Sequence, residues 1–405
     1  MHETGQLKRA LSLPVITFYG LGTILGAGIY VLVGKVAGAA GMYAPIAFLV
    51  AAAVAALSAF SYAELSARHP LSGGEAIYVQ EGLGLPWLSA LVGFMIVLTG
   101  LVSAAAIVNG FVGYLDVFIR LPHAGVITVT VIALGALAAW GIVQSAAAAV
   151  VVTLIEISGL LLILFVSGGH LTELPERLPE MIPPMDGAVW YGIALGAFLA
   201  FYAFIGFEDM VNVAEEVKDA ERNMPKAILL ALLVSTLLYL LVAAEAVLTL
   251  TPDELAGTAA PLATMYERAT GSPPTVITLI SLFAVINGAL VQIIMAARML
   301  YGMARSGWLP KAFARVHPVS QTPLVATGTI AAAVLFFALA LPLVTLAKIT
   351  SFIVLTVFVL VNLSLIRIKR KAPSPRNVRT YPVWVPYGGV LLSLGLLALQ
   401  LGELF

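Results

Sequence analysis

The feature that most constrains this chain is its series of long apolar segments. Each segment has roughly 20 residues, the length that a helix needs to cross the hydrocarbon core of a bilayer. Short stretches rich in proline, glycine and charged residues separate them. We predict an all-α, polytopic membrane protein with eleven transmembrane helices, at about residues 13–36, 43–67, 86–115, 124–141, 145–167, 188–212, 226–250, 273–300, 323–341, 346–366 and 383–402.

The composition excludes several other classes of protein. Charged residues make up only 10% of the chain and hydrophobic residues 61%, against roughly 25% charged in soluble proteins. Basic and acidic residues are equal at 21 each, which gives no support for nucleic-acid binding. The chain has no cysteine, and its five histidines lack metal-ligand spacing. We therefore expect no catalytic residue, no metal and no cofactor.

The basic residues predict the orientation in the membrane. Most lysines and arginines fall in alternate loops, on the side where the chain begins, and the positive-inside rule assigns that side to the cytoplasm. An odd number of spans then places the C-terminus outside. We expect a multi-pass protein of the cell (cytoplasmic) membrane whose partners are the lipid bilayer and a small-molecule substrate. The sequence does not indicate the oligomeric state.

The first span contains an unusual run of glycines. Gly20, Gly22, Gly26 and Gly28 lie within a few residues of one another, and each costs about 1 kcal/mol relative to alanine in a helix interior. Close helix packing through small residues is one explanation. The other is an unwound segment that exposes backbone N–H groups to an anionic ligand.

The sixth span has a comparable interruption. Gly206 is followed by two carboxylates, Glu208 and Asp209, inside an apolar segment. Intramembrane carboxylates are costly and usually face a cavity or a transport pathway. In the alternative interpretation, both carboxylates lie beyond the hydrocarbon edge and pair with basic loops.

These two interrupted spans are five spans apart, which predicts an internal repeat. Helices separated by an odd number of spans run in opposite directions, as an inverted repeat of five plus five requires. We predict a single membrane-embedded domain over residues 1–405 in which spans 1 and 6 are discontinuous. Its repeats lie at about 13–167 and 188–366, and an extra helix follows at about 383–402.

Several short motifs between about residues 13 and 325 match a known family in order and spacing. They are GAGIYVLVG at 26–34, HPLSGG at 69–74, FIGFE at 204–208, AEEVK at 214–218, RNMP at 222–225 and ARMLY at 297–301. The set resembles the amino acid–polyamine–organocation transporters, which have the LeuT-type fold, and is most similar to the cationic amino acid transporter branch.

The resemblance implies a substrate site between the two broken spans. Relatives hold the substrate carboxylate on span 1 amides and the ammonium on span 6 carbonyls, an arrangement that helix-end electrostatics favour. The matching positions here are Ile24, Gly26, Ala27 and Gly28 for the carboxylate and Tyr202, Ala203 and Ile205 for the ammonium. Further candidates for the gates or the pocket wall are Tyr30, Phe204 and Phe207.

Glu156 in span 5 is where the sequence departs from the family. Many members carry a lysine there, at the sodium position of sodium-coupled relatives, and proton exchange on that lysine is the usual coupling proposal. A buried carboxyl can be neutral near pH 7 and exchange a proton, so we favour H⁺ coupling through Glu156. The alternatives are Na⁺ binding, pairing with Lys348 or Arg298, and a purely structural hydrogen bond.

Glu208 is a second candidate for coupling or pH sensing. Arginine/agmatine antiporters of the same superfamily have a glutamate at this position. Glu156 and Glu208 together also fit a cationic substrate, although an amine without a carboxylate would leave the span 1 amides unpartnered. Asn109 and Asn287 are cavity candidates, with interhelical hydrogen bonding as the alternative role.

We predict a secondary active transporter of amino acids that works by alternating access. The alternative within the same class is a transporter or exchanger of a cationic amine or polyamine. The alternatives of another class are a channel and a membrane-embedded enzyme. Neither is supported, because the sequence has no selectivity-filter pattern or ring of like charges and no nucleophile–base pair.

Overall fold

The computed structural model describes residues 9–71, 74–140, 146–169, 173–318, 320–373, 375 and 378–402. This part of the chain is almost entirely helical, and its β-structure is one isolated bridge between Leu11 and Val217. The prediction of an all-α protein is confirmed.

Sixteen α-helices follow one another along the described residues. They are α1 (Leu13–Ile24), α2 (Ala27–Ala40), α3 (Ala44–Arg68), α4 (Gly74–Leu83), α5 (Pro86–Leu115), α6 (His123–Trp140), α7 (Ala146–Ser167), α8 (Leu174–Arg177), α9 (Gly187–Phe201), α10 (Ala220–Thr249), α11 (Pro252–Gly257), α12 (Pro261–Thr270), α13 (Thr275–Arg305), α14 (Leu324–Ala340), α15 (Leu343–Lys371) and α16 (Trp384–Gly402). Short 3₁₀ segments include Tyr202–Phe204 and Glu208–Glu216.

Nine helical segments of the described part are long and apolar enough to cross a membrane. One of them, Gly28–Arg68, combines the second half of predicted span 1 with span 2, while Leu13–Ile24 and Leu324–Ala340 are shorter apolar helices. Every predicted span coincides with at least one of these helices, so the multi-pass architecture is confirmed. The number of eleven crossings stays a prediction.

Proline and small residues explain where these helices begin and how closely they pack. α5 begins at Pro86, whose fixed φ and missing N–H suit the first position of a helix. On α3, the buried residues Ala51, Ala55 and Ala59 recur at four-residue spacing. α9 and α10 both pack against α3, and small side chains allow such close approach between helices in a membrane.

α10 begins earlier than the sequence predicts. The span expected to start at residue 226 starts at Ala220 and continues through Pro225. The amides of Arg222 and Asn223 both bond the carbonyl of Asp219. The first turn therefore forms before Pro225, which then removes only one intrahelical hydrogen bond.

The segment that precedes α1 is attached to the end of the sixth span. The amides of Ala10 and Leu11 donate to the carbonyl of Glu216 at 2.9 and 3.0 Å, and the amide of Lys218 donates to the carbonyl of Leu11 at 2.9 Å. These bonds hold the start of span 1 against the end of span 6.

Two short helices between α10 and α13 cover the opposite end of span 1. α11 packs closely against α2, since a Cβ atom on Gly34 would lie 2.3 Å from the carbonyl oxygen of Leu255. The Lys35 ammonium donates to the carbonyl of Ala256 near the end of α11. This cover and the attachment at the other end hold span 1 on both sides of its break.

Candidate functional site

The first span is broken at Leu25 and Gly26. α1 ends at Ile24 and α2 begins at Ala27, with Gly26 at φ −52° and ψ −142°. The first amides of α2 have no partner within their own helix, and the positive end of the helix dipole lies there. A Cβ atom on Gly26 would meet nothing within 4 Å, so the break opens onto free space.

The sixth span is broken at Ile205 and Gly206. α9 continues as a 3₁₀ turn over Tyr202–Phe204, Ile205 is extended, and Gly206 has φ +132°. The span then resumes as a 3₁₀ helix over Glu208–Glu216. Glycine is favoured at Gly206 because side chains rarely tolerate this φ. The predicted discontinuity of spans 1 and 6 is confirmed.

The two breaks cross in direct contact. A Cβ atom on Gly206 would lie 2.3 Å from the carbonyl oxygen of Thr23, and one on Gly28 would lie 2.4 Å from Cα of Ala203. The Tyr239 hydroxyl of α10 lies 2.7 Å from the carbonyl oxygen of Ile24 and 2.9 Å from that of Ala203. One side chain of α10 therefore links both broken spans.

A small cavity lies at this crossing, between the breaks and helices α5, α7 and α13. Its volume is about 50 Å³, enough for a few water molecules. Its lining residues are Tyr19, Gly22, Thr23, Ile24, Gly26, Gly28, Ser103, Ile107, Thr153, Tyr202, Ile205, Asn287, Gly288, Val291 and Gln292.

Hydroxyl groups fix parts of the cavity wall. The Tyr202 hydroxyl lies 2.9 Å from the Ser103 hydroxyl, which joins span 6 to α5. The Thr23 hydroxyl lies 2.9 Å from the carbonyl oxygens of Gly20 and Gly206, and the Thr153 hydroxyl donates to the carbonyl of Phe18 at 3.0 Å. The wall therefore combines fixed polar groups with bare backbone.

Glu156 is fully buried beside α1, behind the cavity. A Cβ atom on Gly22 would lie 3.8 Å from Glu156 Oε2, and the Asn287 amide lies 3.5 Å from Oε1. Oε2 has no hydrogen-bond partner among the described residues, and no lysine, arginine or histidine there forms an ion pair with Glu156. Within the described part of the chain, the Glu156 carboxyl therefore has no basic side chain that would pair with its charge.

A second, smaller cavity contains both acids of span 6. It shares Ile205 and Gln292 with the first cavity and is also lined by Glu208 and Asp209. Glu208 Oε2 accepts a hydrogen bond from the amide of Gly206 at 2.8 Å. The Gln292 amide lies 3.3 Å from Asp209 Oδ2. Gln292 therefore separates the first cavity from the two acids.

The structure brings together only part of the predicted site. Of the predicted residues, Ile24, Gly26, Gly28, Tyr202, Ile205 and Asn287 line the first cavity. Ala203 contacts Gly28, and Ala27 begins α2. Roles in binding at these positions stay predictions.

Phe204, Phe207, Asn109 and Tyr30 are among the predicted positions that do not line the first cavity. Phe204 packs edge-on against Phe48 and Tyr239, and Phe207 against Tyr62. The Asn109 amide donates to the carbonyl of Ala338 at 3.1 Å, which links α5 to α14. Their observed contacts are those of helix packing.

Sequence reasoning missed several residues that build the site. Ser103, Thr153 and Tyr239 reach it from spans 3, 5 and 7, and no local motif marks them. Thr23 lies within the glycine run, and the glycine pattern gives no signal for its hydroxyl. A buried hydroxyl in an apolar segment is a weak signal, because most such groups bond their own helix.

Two broken helices that cross at a polar cavity, inside a multi-pass helical protein, are typical of secondary transporters. The chain belongs to the amino acid permease family, whose model matches residues 11–403. Members of this family are membrane transporters, so the protein is a transporter and not an enzyme, as the sequence predicts.

Individual relatives share sequence over most of the chain. The branched-chain amino acid permease BcaP of Bacillus subtilis (strain 168) is 31% identical, over 98% of this chain and 89% of the relative. The methylthioribose transporter of the same organism is 30% identical, over 92% and 84%. The vacuolar cationic amino acid transporter 4 of Arabidopsis thaliana is 31% identical, over 82% of this chain and 59% of that protein.

A solved structure supports the fold independently. The crystal structure of MhsT in complex with L-phenylalanine superposes with a TM-score of 0.66 at 13% identity, covering 98% of this chain and all of the other. At this identity the similarity shows the fold alone, and it agrees with the LeuT-type architecture predicted from the sequence.

Proposed function

We propose that this transporter carries amino acids across the cell membrane by alternating access and binds them between its two broken spans. The observation that carries the proposal is the pairing of helix ends around one cavity. Gly26 and Gly28 at the start of α2 and Tyr202 and Ile205 at the end of the first half of span 6 all line it.

The two helix ends have opposite polarity, as a zwitterion requires. The amides of Gly26, Ala27 and Gly28 lie at the positive end of α2 and suit a carboxylate. The carbonyls of Tyr202, Ala203 and Ile205 lie where the first half of span 6 ends and suit an ammonium. An amine without a carboxylate would interact with the span 6 carbonyls and leave the α2 amides without a partner.

Part of the remaining wall is apolar, which favours an amino acid with an apolar side chain. Ile107, Ile205 and Val291 line the cavity, and each prefers an apolar neighbour because burying an unpaired polar group is costly. The name of the Bacillus subtilis relative, a branched-chain amino acid permease, supports the same substrate class.

A cationic amino acid or amine is the second candidate. Glu208 and Asp209 line the adjoining cavity, separated from the first by Gln292. Two carboxyls within reach of a longer side chain would attract its positive charge. The relative named a vacuolar cationic amino acid transporter points to the same class.

For coupling, we propose that Glu156 takes up and releases a proton during the cycle, with Na⁺ binding as the alternative. A buried carboxyl without a basic partner is costly in its charged form. Its position beside Gly22 places it against the helix that breaks at the substrate site. Movement of α1 would change its access to water, and Glu208, bonded to the amide of Gly206, is suited to sense pH at the second break.

The proposed orientation places the N-terminus in the cytoplasm and the C-terminus outside. It rests on the bias of lysine and arginine toward the loops on the N-terminal side. A reporter enzyme fused to Phe405 that is active only in the cytoplasm would overturn it.

Exchange in proteoliposomes tests the substrate class. We expect counterflow of labelled leucine or valine to be stimulated by the same amino acid on the opposite side, and lysine or putrescine to compete poorly. Val291→Phe should reduce this exchange at least about tenfold because it fills the cavity wall. Val276→Phe is the matched control, since Val276 lies on the same helix but is 55% exposed.

Three outcomes would overturn the proposal. Stimulation by amines alone would replace amino acids as the substrate class. Flux without stimulation from the opposite side would indicate a channel. Equal exchange by Val291→Phe and Val276→Phe would show that the cavity is not part of the binding site.

A further inference from the structure

A further pocket, separate from the two cavities described above, lies at the membrane face that carries most of the basic residues. It is formed by the first turns of α10 and by the segment that precedes α16, and its volume is about 240 Å³. Its lining residues are Glu221, Arg222, Pro225, Lys226, Leu229, Arg379 and Tyr381. None of them belongs to the cavities described above.

The lining has an excess of positive charge. Arg222, Lys226 and Arg379 are exposed cations, against one carboxylate, Glu221. Within the described ranges, none of the three cations forms an ion pair. Arg222 and Lys226 are four residues apart on α10, so both side chains lie on one helix face. Such a set of unpaired cations suits an anion with several acceptor oxygens.

The wall opposite α10 is held in place by a buried ion cluster. The Tyr381 amide donates to Glu64 Oε2 at 2.9 Å, and the Tyr381 carbonyl accepts from Lys369 at 2.6 Å. Glu64 in turn pairs with Lys369 and Arg68, both at 2.7 Å. The Arg379 guanidinium lies over the Tyr381 ring, 5.7 Å from its centroid. This wall of the pocket is therefore fixed before any ligand arrives.

An apolar strip leads from the pocket along the surface of α10. Pro225 and Leu229 supply apolar surface within the pocket. Exposed leucines continue the strip at helical spacing, at Leu230 (42% exposed), Leu233 (55%), Leu237 (54%) and Leu241 (45%). A ligand with an anionic head and a hydrocarbon tail would contact both the basic pocket and the apolar strip. A free anion would contact only the basic pocket.

We propose that this pocket binds the phosphate headgroup of an anionic phospholipid in the cytoplasmic leaflet, with an acyl chain lying along the leucines of α10. Basic pockets between helices on the cytoplasmic side suit such headgroups. The bound lipid would join α10 to the segment before α16, and through Tyr381 to the ion cluster on α3 and α15. The cytoplasmic location rests on the proposed orientation, but binding itself does not depend on the substrate.

Native mass spectrometry of the purified full-length protein tests the proposal. The probes are dioleoylphosphatidylglycerol and dioleoylphosphatidylcholine, added separately. We expect several molecules of either lipid to bind weakly, and one phosphatidylglycerol to bind with clear preference. In Arg222→Gln/Arg379→Gln the preferential binding should weaken about 30-fold, and in Lys226→Gln about fivefold, from the typical contribution of each basic residue near anionic lipid.

Lys311→Gln/Arg315→Gln is the matched control. Both residues are exposed cations on the same face but outside the pocket, so preferential binding should change less than twofold. Equal binding of the two lipids to the wild type would overturn the proposal, as would equal losses in the pocket and control variants. Inorganic phosphate that displaces the lipid at equal concentration would show a site for free phosphate and would also overturn it.

Discussion

Glu64 and Glu156 are both fully buried glutamates on apolar helices, α3 and α7, but their surroundings are opposite. Glu64 Oε1 accepts two hydrogen bonds from the Arg68 guanidinium, at 2.7 and 3.0 Å, and Oε2 lies 2.7 Å from the Lys369 ammonium. Among the described residues, Glu156 has one neighbouring side-chain donor, the Asn287 amide at 3.5 Å, and its Oε2 has no hydrogen-bond partner.

The difference separates a carboxylate whose oxygens are both paired with cations from a carboxyl that has no such partner among the described residues. A buried carboxylate whose oxygens are both paired with cations serves the fold, because removing either partner leaves the other charge buried and unpaired. A buried carboxyl without a counter-charge can change its protonation when its access to water changes. Substitutions of Glu64, Glu156 and Glu75 test this contrast, in order of decreasing expected effect.

Glu64→Gln should destabilise the protein by about 3–5 kcal/mol, because Arg68 and Lys369 would stay buried without their shared carboxylate. Thermal unfolding in detergent and the yield of folded protein measure the loss. Glu254→Gln is the control, since Glu254 also pairs with an arginine at 2.7 Å but both side chains are exposed. Exposed pairs contribute little, so equal losses in the two variants would contradict a structural role for Glu64.

Glu156→Gln should leave the fold intact and abolish proton coupling. Typical coupling between two sites amounts to 5–150-fold, so we expect pH-driven accumulation of substrate to fall by about this factor. Exchange without a pH gradient should continue. Uptake is measured in proteoliposomes with and without an imposed gradient.

Glu156→Asp provides the matched comparison because it keeps a titratable carboxyl. It should retain part of the gradient dependence. If Glu156→Gln accumulates substrate with an unchanged pH dependence, the coupling role of Glu156 is wrong.

Glu75, on α4 between spans 2 and 3, has surroundings intermediate between those of Glu64 and Glu156. Its Oε1 accepts from the Tyr62 hydroxyl at 3.2 Å, while its buried Oε2 has no described partner. Burial raises the pKa of Glu75 from its ordinary 4.5 to about 8, and the charge of Asp209 adds to the rise. The native state therefore holds this proton more tightly than the unfolded chain does.

The stability contribution of protonated Glu75 is fully present below pH 4.5 and is lost as the pH rises through about 8. Glu75→Gln should remove this loss, which amounts to at most about 1.4 kcal/mol per pH unit. The measurement is the midpoint of thermal unfolding between pH 5 and 9 for both proteins. If the unfolding midpoints of the wild type and Glu75→Gln changed in parallel with pH, the pH dependence of stability would not come from Glu75.

The spans and the breaks could be predicted because local residues encode them. The apolar segment predicted at 86–115 is α5 from Pro86 to Leu115, and Gly26 and Gly206 mark the two breaks. Apolar length, proline and glycine act within a few residues, so a single sequence carries the signal.

Contacts between distant segments could not be predicted in the same way. Tyr381 and Glu64 are 317 positions apart, and only packing brings them together. The helices α4 and α11 are too short and too polar to be recognised as spans. Packing between distant segments also places Ser103 and Thr153 in the cavity wall. The same packing directs Phe204 and Phe207 into the aromatic core.

The bridge from Tyr239 to both breaks has a further consequence. A phenol hydroxyl has one hydrogen to donate, yet the carbonyl oxygens of Ile24 and Ala203 both lie within 2.9 Å of it. The two backbone segments therefore compete for one proton, and at any moment one carbonyl keeps its acceptor capacity. If an amino acid binds between the broken spans as proposed, its ammonium group would supply the missing donor, and occupancy of the site would then decide which segment Tyr239 holds.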